Sequence, residues 1–96
     1  MKAFVIFQAE ILDAERYETY KAAAEPNIRS AGGRYLVRGG EPEVLEGEPT
    51  NKRTVILEFP SREAAVLWFR SDEYSKVREL RSGAAVANVL LVDEYQ

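Results

Sequence analysis

The sequence predicts an α+β fold, with elements in the order strand, helix, strand, strand, helix, strand. Three observations lead there. Apolar residues alternate with a period of two near the start, middle and end of the chain; they recur at helical spacing between; and glycine pairs bracket the second strand.

Residues 2–11 read as the first strand, with Ala3, Val5, Phe7 and Ala9 on one face and Phe4, Ile6 and Gln8 on the other. Both faces are mostly apolar, so the strand is covered on both sides. Asp13 is the N-cap of the next helix, its carboxylate accepting from free backbone amides. Tyr17, Tyr20, Ala24, Ile28 and Ala31 then form an apolar stripe. Pro26 is expected to kink or split that helix, because it removes a backbone donor. Gly32-Gly33 ends it. The second strand, about 34–38, is expected to place Arg34, Leu36 and Arg38 on one face and Tyr35 and Val37 on the other.

A loop rich in acid, proline and glycine follows, in which 43–46 is a candidate short extra strand and Glu46 a candidate ion-pair partner of Arg53. Lys52 to Phe59 is the third strand, stopped by Pro60. Ser61 caps a helix carrying Ala64, Ala65, Leu67, Trp68 and Phe69. Ser71 caps a second stretch, with Asp72 and Glu73 in the first turn, where the helix dipole favours anions. That stretch is expected to reach Gly83, and the last strand spans about 86–93.

This order is the split βαβ, or ferredoxin-like, arrangement, here as one domain over residues 1–96. Its helices cover one face of the sheet only. Strands one and four are apolar on both faces, so a second copy of the chain is the expected cover. The two sheets of such a homodimer would enclose a barrel-like interior.

Composition narrows the function. The chain is 46% apolar and 30% charged, as in an ordinary globular protein. A net charge of −3 without a basic stripe argues against nucleic-acid binding. No apolar run approaches the roughly 20 residues that span a bilayer, and the start lacks a signal-peptide pattern, so a cytoplasmic protein is expected. Cysteine and histidine are both absent. Thiol nucleophiles, thiolate metal sites and His-ligated haem are therefore excluded, and no cofactor or metal is expected. Phosphate-binding loops and dinucleotide fingerprints are absent too.

The candidate site collects the polar residues of the sheet: Gln8, Arg34, Arg38 and Glu58. Arginine forks would grip an oxyanion of a small anionic or carbonyl-bearing ligand, and Glu58 would be the base if burial raises its pKa. Trp68 and Tyr74 would wall the pocket, although such residues more often belong to the core. The competing reading is a non-catalytic interaction module whose polar cluster only holds strand register. Tyr17 and Tyr20 read as core residues with hydroxyls at the rim, and Arg78 and Arg81 as surface charges near a helix C-terminus.

The segments Gly32-Gly33-Arg34-Tyr35-Leu36-Val37-Arg38-Gly39-Gly40, Leu45-Glu46-Gly47, Val55-Ile56-Leu57-Glu58-Phe59-Pro60-Ser61, Ala64-Ala65, Trp68, Ser71-Asp72-Glu73-Tyr74 and Leu80-Arg81 together resemble domain-of-unknown-function family 1330. The resemblance spans nearly the whole chain. It implies a dimeric α/β-barrel of ferredoxin-like subunits, in a superfamily that includes cofactor-independent monooxygenases, muconolactone isomerase-like enzymes and haem-dependent chlorite dismutases. The absence of histidine puts the haem branch out of reach. The positions that match the family pattern and carry chemistry are Arg34, Arg38, Glu46, Glu58, Trp68, Tyr74 and Arg81.

Overall fold

A computed structural model describes residues 1–50 and 52–96 of the chain. The elements are β1 (Ala3–Ile11), α1 (Ala14–Ser30), β2 (Arg34–Gly40), β3 (Arg53–Phe59), α2 (Arg62–Phe69), α3 (Asp72–Glu79) and β4 (Ala85–Asp93). The strands form one antiparallel sheet in the order β2-β3-β1-β4, with β1 and β3 internal. This is the ferredoxin-like α+β fold.

Local chemistry accounts for the helix starts. Asp13, Ser61 and Ser71 each accept a hydrogen bond from the amide three residues on, at Arg16, Ala64 and Tyr74. Pro26 does not split α1, which runs unbroken to Ser30. Pro26 lies on the exposed side, while Ala24 and Ile28 on either side of it are buried in the core. The carbonyl left without its helical donor therefore lies on the watered side, and packing holds the turn together. α3 ends at Glu79, with turns rather than helix carrying the chain to Gly83. Residues 43–46 form no strand; the loop there is irregular.

The core lies between the sheet and the helices. Val5, Phe7, Ala9, Val55, Leu57 and Phe59 from the sheet meet Tyr17, Tyr20, Ala24, Ile28, Ala65, Trp68 and Tyr74 from the helices. Gly33 sits where the chain leaves α1 and passes the core. A Cβ there would stand 2.6 Å from the Ile28 side chain and 2.8 Å from the Phe59 ring, so only glycine fits.

β2 departs from the simple period-two pattern. Arg34 pairs with Glu58 and Tyr35 with Leu57, but Val37 pairs with Ile56, so Leu36 is an extra residue in a β-bulge. The pattern slips by one at that point. Arg34 and Val37 face the open side of the sheet, while Tyr35 and Arg38 face the helices. The expected common face of Arg34, Leu36 and Arg38 is thereby corrected. A second irregularity follows at Gly39, whose φ of 78° suits glycine.

Candidate functional site

The bulge divides the candidate residues between two places. On the open face Arg34 Nε stands 3.6 Å and Lys2 Nζ 3.5 Å from the Glu58 carboxylate. Further along the same face, beyond Ile6 and Ile56, Gln8 Nε2 donates to Thr54 Oγ1 at 3.4 Å. Next to this polar row runs an apolar one, Val37–Ile56–Ile6–Leu90, crossing all four strands in register. Leu90 is 56% exposed, so the row ends in solvent-facing apolar surface.

On the helix face, Arg38 joins a different group. Its Nη1 donates to Glu25 Oε1 at 2.8 Å, and its guanidinium lies 4.5 Å from the Tyr35 ring centre. The hydrogen bond from Arg38 holds the Glu25 carboxyl below its ordinary pKa. Behind them is a cavity of about 30 Å³. Its walls are aromatic (Phe7, Tyr17, Tyr20, Tyr35, Trp68, Tyr74) and aliphatic, and Lys21, Arg38 and Arg53 are its cations. Among the described residues no carboxylate lines it. Arg53 stands 5.5 Å from the Tyr17 ring centre and does not pair with Glu46, which is exposed on the loop. Among the described residues no ion pair joins these two.

The inner end is built of aromatic side chains. Tyr20 Oη and Tyr74 Oη lie 2.7 Å apart in a buried hydrogen bond. Trp68 stacks at 4.3 Å from Tyr74 and donates its Nε1–H to Asn27 Oδ1 at 2.9 Å, which fixes the indole plane. The Arg81 guanidinium lies over Phe7 and Tyr20, at 5.3 and 5.4 Å from their ring centres. Its Nε is buried without a hydrogen-bond partner among the described residues. Burial works to lower the Arg81 pKa, but the Tyr74 and Tyr20 hydroxyls outweigh it and raise it. Burial, then Tyr74, pushes the Tyr20 phenol well above its ordinary range. Tyr17 is raised by burial against the opposing pull of Arg53 and Arg81.

The structure thus brings Arg38, Trp68 and Tyr74 to one cavity on the helix side, sets Arg81 against its Phe7 and Tyr20 walls, leaves Arg34, Glu58 and Gln8 on the open side, and places Glu46 with none of these. Arg53 and the hydroxyls of Tyr17 and Tyr20 are the functional candidates that sequence reasoning passed over. Their signal was present. Arg53 continues the helix-facing series of Val55 and Leu57, and tyrosines three apart on a helix present both hydroxyls on one side.

Burial of neutral Tyr20 also has a consequence for stability. A tyrosine whose folded pKa is raised contributes fully below the unfolded value of 10.0, and that contribution is lost as pH rises beyond it. In melting curves taken across the alkaline range, wild type is expected to lose stability more steeply than Tyr20→Phe. Equal slopes would show that Tyr20 ionises as freely in the folded protein as in the unfolded chain.

The sequence matches the family model "Domain of unknown function (DUF1330)" over residues 2–95. The chain belongs to this family. No curated protein matches it. Among solved structures, a protein of unknown function from Rhodopseudomonas palustris, RPA0582, is similar with a TM-score of 0.80 at 20% identity, covering 99% of this chain and 83% of that one. SnoaB, a cofactor-independent oxygenase from Streptomyces nogalater, superposes with a TM-score of 0.67 at 9% identity, over 99% of this chain and 94% of SnoaB. A dimeric ferredoxin-like protein of unknown function from Jannaschia sp. CCS1 gives 0.67 at 8% identity, over 98% of this chain and all of the other (100%). These likenesses establish the fold that the DUF1330 chain shares with them. Among the described residues, no helix is long and apolar enough to cross a membrane, and no cluster of acidic side chains is placed to hold a metal.

Proposed function

We propose that this DUF1330 protein is a cytoplasmic homodimer that binds a small organic anion in the cleft between sheet and helices. The observation that carries the reading is the cavity lining: aromatic walls with Lys21, Arg38 and Arg53, of which Lys21 and Arg38 also pair with Glu18 and Glu25, and no carboxylate among the described lining residues. Such a lining favours a flat, unsaturated body with a negative or carbonyl-bearing group. The dimer forms through the open sheet face, whose apolar row needs a cover. The polar row of Lys2, Arg34 and Glu58 then lies in the seam.

Chemistry without a cofactor, of the oxygenase or isomerase kind, is the finer part of the proposal and draws on the fold shared with SnoaB. Glu58 could act as base only on a ligand lying against the open face beside Arg34. In the cleft no carboxylate is available, and this favours the second reading, a binding module that recognises its ligand without proton abstraction.

Trp68 is the only tryptophan of the chain and stands in the cavity wall, so it reports entry directly. Benzoate, salicylate and 4-hydroxyphenylacetate are expected to change its emission saturably and to raise the melting temperature by mass action. Arg38→Ala should weaken both effects. Emission that stays flat with every aromatic anion, at concentrations that leave the protein folded, would remove the cleft as the binding site.

A further inference from the structure

A count of donors and acceptors at the inner end of the cavity leads further, and it rests on the cleft being the ligand site. A guanidinium has donors only, whereas a phenol has one O–H and an oxygen that accepts. The Arg81 guanidinium lies 5.4 Å from the Tyr20 ring centre, and its charge is felt by the Tyr74 and Tyr20 hydroxyls. A positive charge so placed favours phenol oxygens turned toward it and O–H bonds turned away. One O–H is consumed in the 2.7 Å contact between the two oxygens. The other has no acceptor among the described residues, and Arg81 Nε is a buried donor without a partner. Tyr17 repeats the pattern, with the Arg53 guanidinium 5.5 Å from its ring centre. Three phenols and two guanidiniums thus meet at a place where, among the described residues, no carboxylate pairs with either arginine. Spare donors of this kind, buried and beside unpaired positive charge, are stabilised by an acceptor that carries negative charge.

We propose that Tyr17, Tyr20 and Tyr74, backed by Arg53 and Arg81, form an oxyanion receptor, so that the ligand is a preformed monoanion: a carboxylate, phenolate or enolate. The free space, about 30 Å³, is well below the roughly 150 Å³ of a cavity that takes up benzene, so it admits a charged oxygen but not a ring. The head group enters, and the body of the ligand extends outward past Lys21 and Arg38, which are only partly buried. Arg81 acts as a positioning residue: it sets which way the phenol protons point.

Benzoate and benzamide share their shape and differ in charge. Titrations followed by Trp68 emission and calorimetry are expected to show wild type preferring benzoate by at least about tenfold, or roughly 1.4 kcal/mol. In Arg81→Met the preference should fall close to parity while benzamide binding persists; Arg81→Lys should keep most of it. If Arg81→Met does not fold, Tyr20→Phe carries the same test, since it removes a phenol but not a charge. Equal binding of benzoate and benzamide by wild type would overturn the receptor and leave the cleft reading standing. A preference undiminished in both Arg81→Met and Tyr20→Phe would also overturn it. No response of Trp68 to either compound would defeat the cleft reading, and the receptor with it.

Discussion

Truncating Phe59 to alanine is expected to lower the melting temperature more than any other single substitution in the sheet, by on the order of 20 °C. Phe59 is fully buried at the end of β3, with its ring centre 5.2 Å from that of Trp68. The backbone at Gly33 also closes onto it, so the surroundings are held on two sides and cannot collapse to fill the gap. Phe→Ala at such a site costs about 3–5 kcal/mol, a large share of the roughly 5–15 kcal/mol that holds a small domain together. Leu67→Ala is the control: Leu67 is 74% exposed and should change stability by less than about 0.5 kcal/mol. Circular dichroism melts of the two variants decide the matter, and comparable losses would mean that Phe59 is not the keystone described. The substitution also tests the cleft. Phe59 and Tyr74 both pack against Trp68, so loosening Phe59 should blunt the Trp68 response to ligand even where the protein remains folded.

The fold was legible because its signals are local. Alternating residues in β1 and β3, the caps at Asp13, Ser61 and Ser71, and the stop at Pro60 each act within a few residues, and all agree. The site was legible only in part. Arg38, Trp68 and Tyr74 do line one cavity, but the grouping of Arg38 with Arg34 failed at Leu36. A bulge is a property of a strand pair: whether Leu36 is skipped depends on how β2 meets β3, and nothing in residues 34–38 alone states it. Arg81 shows the same limit from another direction. Beside a helix C-terminus it reads as a solvated charge, and only the folding of β1 and α1 beneath it brings Phe7 and Tyr20 under its guanidinium. Pro26 was over-read because propensity treats the helix as isolated, whereas Ala24 and Ile28 anchor it to the core on both sides.

Ile6→Arg is expected to turn the proposed dimer into a monomer without unfolding the subunit. Ile6 lies at the middle of the apolar row, directly between Ile56 on β3 and Leu90 on β4, and its side chain is on the face opposite to the buried Val5 and Phe7. A charge there leaves the core of the subunit untouched. In a two-fold interface every substitution appears twice, so two guanidiniums would be brought into an apolar seam with no acidic neighbour on their own row. The dissociation constant should rise by about a thousandfold or more, equivalent to roughly 4 kcal/mol. Light scattering on a sizing column should give the 10.9 kDa subunit mass for Ile6→Arg and twice that for wild type, with unchanged far-ultraviolet dichroism for both. A wild type that elutes as a monomer, or a variant that stays dimeric, would sink the sheet-to-sheet assembly. The cavity lies on the other side of the sheet, lined by Phe7 and Val5 and not by Ile6. The monomeric variant should therefore still answer to benzoate through Trp68, and a lost response would instead mean that the dimer completes the binding site.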